Sequence, residues 1–408
     1  MEKKVSCEHL EIGMYISKLD RPWLETPFLI EGLLLNDKSE LKKISDLCDY
    51  VYIDISRGIG AKHYEDDVDD IVPHNKFDNN LKLRQNKPRY QIKHSAENEM
   101  PKAALVFDTA SKNVGSILDT LASGQSPDVS QVDDTVSPMI DSIIRNPDAM
   151  LWLTRLKNKN HSYYNRALST CTLAIAFGRS LNLPRTDLKN IAAGALFLDI
   201  GMTNISEEIL NKAEKLSIAD TNELMRHVEY SVEAAKTIDG LHPDIIEIIQ
   251  HHHERHNGSG YPNGLIGKNI PILARLVSIV DCYIEMTTDR PNQKTLSSYQ
   301  VIHKLYAWRN IAFQHEVVEH FIQCLGPYPT GSMVELSTGE VGVVLSQNST
   351  RSLRPRIMLV LSSDKKPYGD YSVIDLMTKI EDTNGDQLEI TKGLDAGAYG
   401  INPQDYYI

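Results

Sequence analysis

His251-His252-His253-Glu254-Arg255-His256-Asn257-Gly258-Ser259-Gly260-Tyr261-Pro262 is the stretch on which the reading of this chain turns. It sets clustered imidazoles at the end of an apolar helical segment, directly before a glycine-rich turn. Imidazole is the commonest side-chain metal ligand, and neighbouring histidines reach one site only where the backbone holds them there. The run from Asn257 to Pro262 has the composition of a rigid turn that would supply such a backbone. Helical spacing over 244–253 sets His252 above Ile245, Ile248 and Ile249, and His253 above Ile246 and Ile249. Both rings are therefore expected to face a core rather than solvent.

A single inward histidine is ordinarily a satisfied core residue. Here a third histidine, His227, and two carboxylates on apolar faces accompany the pair. Asp199 follows Ala192, Ala195 and Leu196 on its face, and Asp281 follows Ala274 and Val277. A buried carboxylate is costly unless it is paired or bound to a metal. Asp199, His227, His252, His253 and Asp281 thus read as a metal site, or the descendant of one, ahead of a purely structural network.

The 408 residues are enough for two or three domains, and 41% hydrophobic with 24% charged residues is ordinary for a soluble globular protein. A formal charge of −12 argues against binding nucleic-acid polymers or anionic membranes. A local basic pocket for one small dianion remains compatible with it. Cys7, Cys48, Cys171, Cys282 and Cys324 are scattered without CxxC spacing, as expected of reduced thiols in a cytoplasmic protein. No apolar run approaches the roughly 18 residues of a membrane helix, so no membrane insertion is expected.

Residues 1–57 read as a small α+β domain, with strands at Tyr15–Leu19 and 51–55 and a helix at Lys38–Leu47. Residues 58–100 read as a flexible acidic linker around Glu65-Asp66-Asp67-Val68-Asp69-Asp70. Residues 101–325 read as a helical domain whose lead-in, 101–159, carries helices at 103–121, 132–144 and 149–156. Thr186 or Asp187 is expected to cap the helix bearing Asp199's apolar face, and 221–238 reads as one helix. After Gly326-Pro327-Tyr328-Pro329 the period changes to two, and 326–408 reads as a β-rich extension with strands near 334–336, 341–344 and 357–361.

Over about residues 150–325 the chain resembles the HD-GYP family, bacterial phosphodiesterases that hydrolyse cyclic di-GMP. The residues carrying the resemblance are Asp199-Ile200-Gly201, Ile209-Leu210-Asn211-Lys212, His227, His252-His253-Glu254, Gly260-Tyr261-Pro262, Ile270-Pro271, Ala274-Arg275, Asp281-Cys282-Tyr283 and Asp289-Arg290-Pro291. The phrase Gly13-Met14-Tyr15 with Asp20 to Phe28 resembles an uncharacterised domain often found ahead of HD-GYP modules. The resemblance implies a mainly α fold: an HD-superfamily helical bundle with a small α+β N-terminal domain and a short β-rich C-terminal appendage. In that family two or three metal ions, often iron or manganese, hold a bridging hydroxide that attacks the phosphodiester phosphorus. By resemblance Asp199 would bridge metals, His227, His252 and His253 would hold the second ion, and Asp281 would complete the first. Gly260, Tyr261 and Pro262 would border the substrate or serve only as a rigid turn. Arg290 and Lys294 are candidate contacts to substrate phosphate, or else solvated surface charges.

The chain departs from the family pattern at three positions that matter. The histidine of the HD pair is Leu198, the upstream family histidine falls on Arg166, and the phosphate-contacting lysine is Met202. Leucine ligates no metal, and arginine is donor-only and always cationic. Asp199, His227, His252 and His253 remain enough for a single divalent ion, iron or manganese by resemblance, although the alternative of no metal stays open. Arg166 is expected to take the vacant position as a fixed charge paired with Asp199 and Asp281. His161 and His256 lack the spacing to replace a lost ligand. The first reading is a degenerate HD-GYP protein that senses cyclic di-GMP or docks a partner such as a diguanylate cyclase domain, with lost or weak hydrolysis. The alternatives are an active metal-dependent cyclic di-GMP phosphodiesterase and a structural adaptor.

Overall fold

Strand alternation organises the first part of the chain. In β4 (Tyr50–Asp54) Val51 and Ile53 are buried while their neighbours are half-exposed, and Ile16 of β2 (Tyr15–Leu19) and Ile44 of α1 (Lys38–Leu47) are buried too. With β1 (Glu2–Ser6) and β3 (Leu33–Leu34) these strands form an antiparallel sheet in the order β1-β4-β2-β3. The structure, a computed structural model, describes residues 2–20, 33–35, 37–54, 90–157, 163–212, 216–288, 295–348, 353–378, 388–395 and 397–401. Met1–Lys82 and Leu83–Ile408 form two compact units. The acidic run at 65–70 lies outside the described residues.

In the second unit, Ser95 caps α2 (Ala96–Ala122) by accepting from the Asn98 N–H, so the helix begins ahead of Pro101 rather than after it. Ordered helix thus starts within the stretch that the sequence suggests is linker. Glu99 on its first turns is buried and takes bonds from Ser142 and, at 2.7 Å, from Arg145, which ties α2 to α3 (Val129–Arg145). α4 (Pro147–Lys157) follows, then α5 (Tyr163–Ser180) and α6 (Arg185–Phe197).

Every residue of α6 from Asn190 to Phe197 is buried, which makes it a central helix, with α5, α10 (Pro243–His251) and α11 (Ile272–Thr287) packed on it. α6 starts at the Pro184 N-cap without a side-chain cap, not at Thr186 or Asp187. Pro184 fixes the extended entry and leaves those polar residues on the first turn. The single helix expected over 221–238 is also two, α8 (Ile218–Met225) and α9 (His227–Lys236), meeting at Arg226. That break places His227 at a helix start. The short α7 (Glu207–Leu210) precedes them, and α12 (Ser298–Ala307) and α13 (His315–Leu325) close the bundle.

The C-terminal strands β5 (Met333–Leu336), β6 (Val341–Ser346), β7 (Arg356–Leu361), β8 (Val373–Asp375) and β9 (Ile390–Leu394) form an antiparallel sheet in the order β8-β7-β6-β5-β9. Trp152 of α4 packs into the apolar cluster of Met333, Val341, Val343, Met358 and Val360, so the sheet is built onto the helical part. The chain is therefore mainly α, with a small sheet at each end. No helix among the described residues is long and apolar enough to cross a membrane. No disulfide forms among them.

Candidate metal centre

Three helix ends and the middle of a fourth helix converge at one place. Asp199 follows the α6 C-terminus, His227 opens α9, His252 caps α10 with His253 next to it, and Asp281 lies in the middle of α11. Gly201 makes the approach possible. A Cβ there would stand 2.2 Å from the His227 carbonyl oxygen and 2.5 Å from the Ser231 nitrogen, so the turn after Asp199 lies directly on the α9 backbone. Gly201 N–H donates to Ser231 Oγ at 2.9 Å, which fastens the contact.

Ligand-capable atoms of Asp199, His227, His252 and His253 all lie within 4.8 Å of one another. Asp199 Oδ1 is 3.4 Å from His227 Nε2 and 3.8 Å from His252 Nε2, too long for hydrogen bonds. Metal–ligand bonds of about 2.1 Å set neighbouring donor atoms roughly 3–3.5 Å apart. The tautomers agree with that use. His227 Nδ1 donates to the Leu224 carbonyl at 2.6 Å and His252 Nδ1 to the Ile249 carbonyl at 2.7 Å. A carbonyl only accepts, so each Nδ1 holds a proton and each ring, in its neutral form, turns its Nε2 lone pair toward Asp199. Asp199 Oδ1 and both Nε2 atoms are buried and have no hydrogen-bond partner. Converging lone pairs with no donor among them fit a cation.

The electrostatics agree for two of the three imidazoles, His252 and His253. Burial lowers the His252 pKa to about 4, outweighing the nearby carboxylates. Burial, then the neighbouring imidazoles, holds His253 well below its ordinary value. Burial pulls His227 down as well, but the Asp199 carboxylate reverses this and the net shift is upward. Asp199 is held well below the usual carboxylate range: burial opposes this, and the Arg166 guanidinium and the histidines outweigh it.

Asp281 is not one of the four. It lies across Arg166, whose Nη2 is 2.9 Å from Asp281 Oδ1 and 3.3 Å from Asp199 Oδ2. The guanidinium therefore bridges both carboxylates, in the place where the sequence expects a fixed charge. Glu285, one turn after Asp281, also acts on Arg166 through its charge. Leu198 is buried and caps α6, and half-buried Met202 donates its backbone N–H to the Asp199 carbonyl. His256 donates its backbone N–H to the Ala312 carbonyl and is outside the group of four. His161, Arg290 and Lys294 lie outside the described residues.

Gly260, Tyr261 and Pro262 border the group: the Tyr261 ring stacks on His253 at 4.6 Å between centroids, and the Tyr261–Pro262 peptide is cis. Glu254 carries the resemblance in the sequence, which assigns it no role. It is buried and accepts from the Asn263 and Leu265 backbone N–H groups at 2.7 and 2.9 Å. Beyond its place in that motif, its signal is a carboxylate on the inward side of an apolar helix end.

Comparison with known proteins divides the chain in three. A domain of unknown function (DUF3391) matches residues 2–132, an HD domain matches 152–310, and a KOW domain associated with HD domain matches 333–381. The cyclic di-GMP phosphodiesterase PA4108 of Pseudomonas aeruginosa is 30% identical over 378 residues, covering 92% of this chain and 89% of that protein. The cyclic di-GMP phosphodiesterase response regulator RpfG of Xanthomonas campestris pv. campestris is 27% identical over 178 residues, 43% of this chain and 44% of RpfG. The 3'3'-cGAMP-specific phosphodiesterase 2 of Vibrio cholerae is 32% identical over 126 residues, 31% of this chain and 24% of that protein.

Proposed function

This chain belongs to the HD-GYP family, and from that membership we propose that it acts in cyclic di-GMP signalling as a nucleotide-sensing module whose hydrolysis is lost or weak. The observation that carries the reading is the Arg166 guanidinium between Asp199 and Asp281. A two-metal centre clamps both the attacking and the leaving oxygen of a phosphodiester. An immovable guanidinium at one of those places neutralises carboxylates but activates no water, because it is donor-only and never deprotonates.

The residues that would hold one divalent ion are Asp199, His227, His252 and His253, with iron or manganese suggested by resemblance. When bound, such an ion supplies Lewis acidity and an acidified water. Leu224 and Ile249 orient His227 and His252 through their carbonyls. Arg166 sets the Asp199 carboxylate by holding Oδ2, which leaves Oδ1 toward the imidazoles. Tyr261 would offer its ring and Arg290 and Lys294 their charges to the nucleotide. The role belongs in the cytoplasm, where the dinucleotide is found, and a partner such as a diguanylate cyclase domain would read the bound state.

A working phosphodiesterase is the second reading. The complete group of four and the names of the relatives favour it.

The full-length chain separates these readings when metal content, dinucleotide binding by calorimetry and release of pGpG or GMP are measured together. The expected result is cyclic di-GMP binding with at most one metal equivalent and little or no product. Steady product release that His252→Ala abolishes would overturn the sensing reading in favour of the enzyme. Neither binding nor turnover, with or without 3'3'-cGAMP as an alternative dinucleotide, would leave an adaptor.

A further inference from the structure

Three imidazoles meet at Asp199, and they are held in two different ways. His227 and His252 are each fixed by a carbonyl one turn back. Neither ring nitrogen of His253 has a hydrogen-bond partner among the described residues. Its ring instead stacks on Tyr261, with planes 19° apart, and touches the His252 ring only at a tilt of 45°, 4.1 Å between centroids. An imidazole torsion is broad and roughly two-fold, so a ring that must present one nitrogen to a site needs something to choose its angle.

The Tyr261 ring reaches His253 because the loop returns almost onto its own start. Tyr261 N–H donates to the His253 carbonyl at 3.2 Å. A Cβ on Gly260 would stand 2.3 Å from the Arg255 nitrogen and 2.4 Å from the His253 oxygen, so only glycine allows this return. Glu254 closes the far side. Its two carboxylate oxygens take one backbone N–H each, Asn263 on Oε1 and Leu265 on Oε2. Charge-assisted bonds of this kind are about twice as strong as neutral ones.

We infer that Glu254 and Tyr261 are positioning residues for His253: the buried carboxylate closes the loop, and the loop's tyrosine ring sets the imidazole angle that carbonyls set for the other two. The inference rests on the proposed metal group. It gives the glycine–tyrosine–proline turn a function inside that group, independent of any contact with nucleotide.

Two measurements on the full-length chain test it. The first needs no metal: carbethoxylation of His253 by diethylpyrocarbonate, located by fragmentation mass spectrometry. The labelling rate should rise several-fold in Tyr261→Ala and in Glu254→Ala but stay at the native rate in Tyr261→Phe, which keeps the stacked ring. His227 and His252 should stay protected in all of them. The second is Co2+ affinity by titration of its visible absorption. Tyr261→Ala should weaken it on the order of 10–100-fold, the range for residues that orient a ligand. The same change in a His253→Ala background should have no further effect.

Native-rate labelling of His253 in Tyr261→Ala overturns the inference. So does a full Tyr261→Ala loss of affinity when His253 is already absent. If Glu254→Ala does not fold, the two Tyr261 variants still decide. Labelling that follows the expected order in a protein binding no Co2+ would overturn the metal reading and leave the positioning role standing.

Discussion

Arg166 and Asp281 stand 115 residues apart in sequence and form a 2.9 Å charge-assisted hydrogen bond, with the same nitrogen 3.3 Å from Asp199. Both carboxylates are buried, and burial of an unpaired charge is among the costliest changes a fold can carry. Arg166→Met should therefore destabilise the metal-free protein by about 3–5 kcal/mol, the usual cost of removing one partner of a buried pair. Urea unfolding measures this. Excess Mn2+ should recover part of the loss, since an added cation could replace the missing one. A loss below about 1 kcal/mol, the range of exposed pairs, would mean that the bridge contributes little.

The same position allows a gain-of-site experiment. Leu198 caps α6 directly before Asp199 and is buried, and Arg166 faces Asp199 and Asp281. Arg166→His with Leu198→His would replace a fixed cation and an inert side chain by two neutral ligands. Metal content of the folded double variant should rise from at most one toward two equivalents. Unchanged occupancy would count against Arg166 and Leu198 being lost ligand positions.

A third expectation concerns the backbone. Gly201 lies where a Cβ would enter the His227 carbonyl and the Ser231 nitrogen, neither of which can swing away. Gly201→Ala should separate the α6 end from α9, cost about 1–3 kcal/mol as overpacking does, and weaken Co2+ binding by moving Asp199 from His227. A folded Gly201→Ala protein with native metal affinity would show that this contact does not set the geometry.

These cases indicate what the sequence could tell. Isoleucines at helical spacing pointed His252 and His253 inward, and small apolar residues did the same for Asp199 and Asp281. Arg166 was legible as a bridge through the family resemblance, which sets it at a histidine position beside the two acids. Three things were not legible. The break at Arg226 interrupts a continuous helical pattern, since turn geometry rather than side-chain period decides it. Glu254 bonds backbone groups nine and eleven residues ahead, which no periodicity encodes. β1, β3, β8 and β9 are short strands whose pairing depends on partners elsewhere in their sheets.

The last prediction lies away from the metal group, where α4 meets the C-terminal extension. Asp148 is buried, accepts from Thr330 Oγ1 at 3.1 Å, and its own N–H donates to Asn146 Oδ1. Burial raises its pKa from 3.8 to about 6, although the bonds from Thr330 and the Gln347 backbone and the charge of Arg179 pull it down. The folded state therefore binds more protons than the unfolded state between pH 4 and 6. Stability from this group is fully present below about pH 4 and is lost as pH rises through 6. A shift of this size corresponds to on the order of 3 kcal/mol at neutral pH. Asp148→Asn keeps an acceptor for Thr330 and removes the titration. At pH 7.5 the variant should be the more stable protein, and the advantage should shrink to nothing or reverse near pH 4. Parallel stability curves for the two proteins across that range, measured by urea unfolding, would show that Asp148 keeps an ordinary carboxylate pKa in the fold.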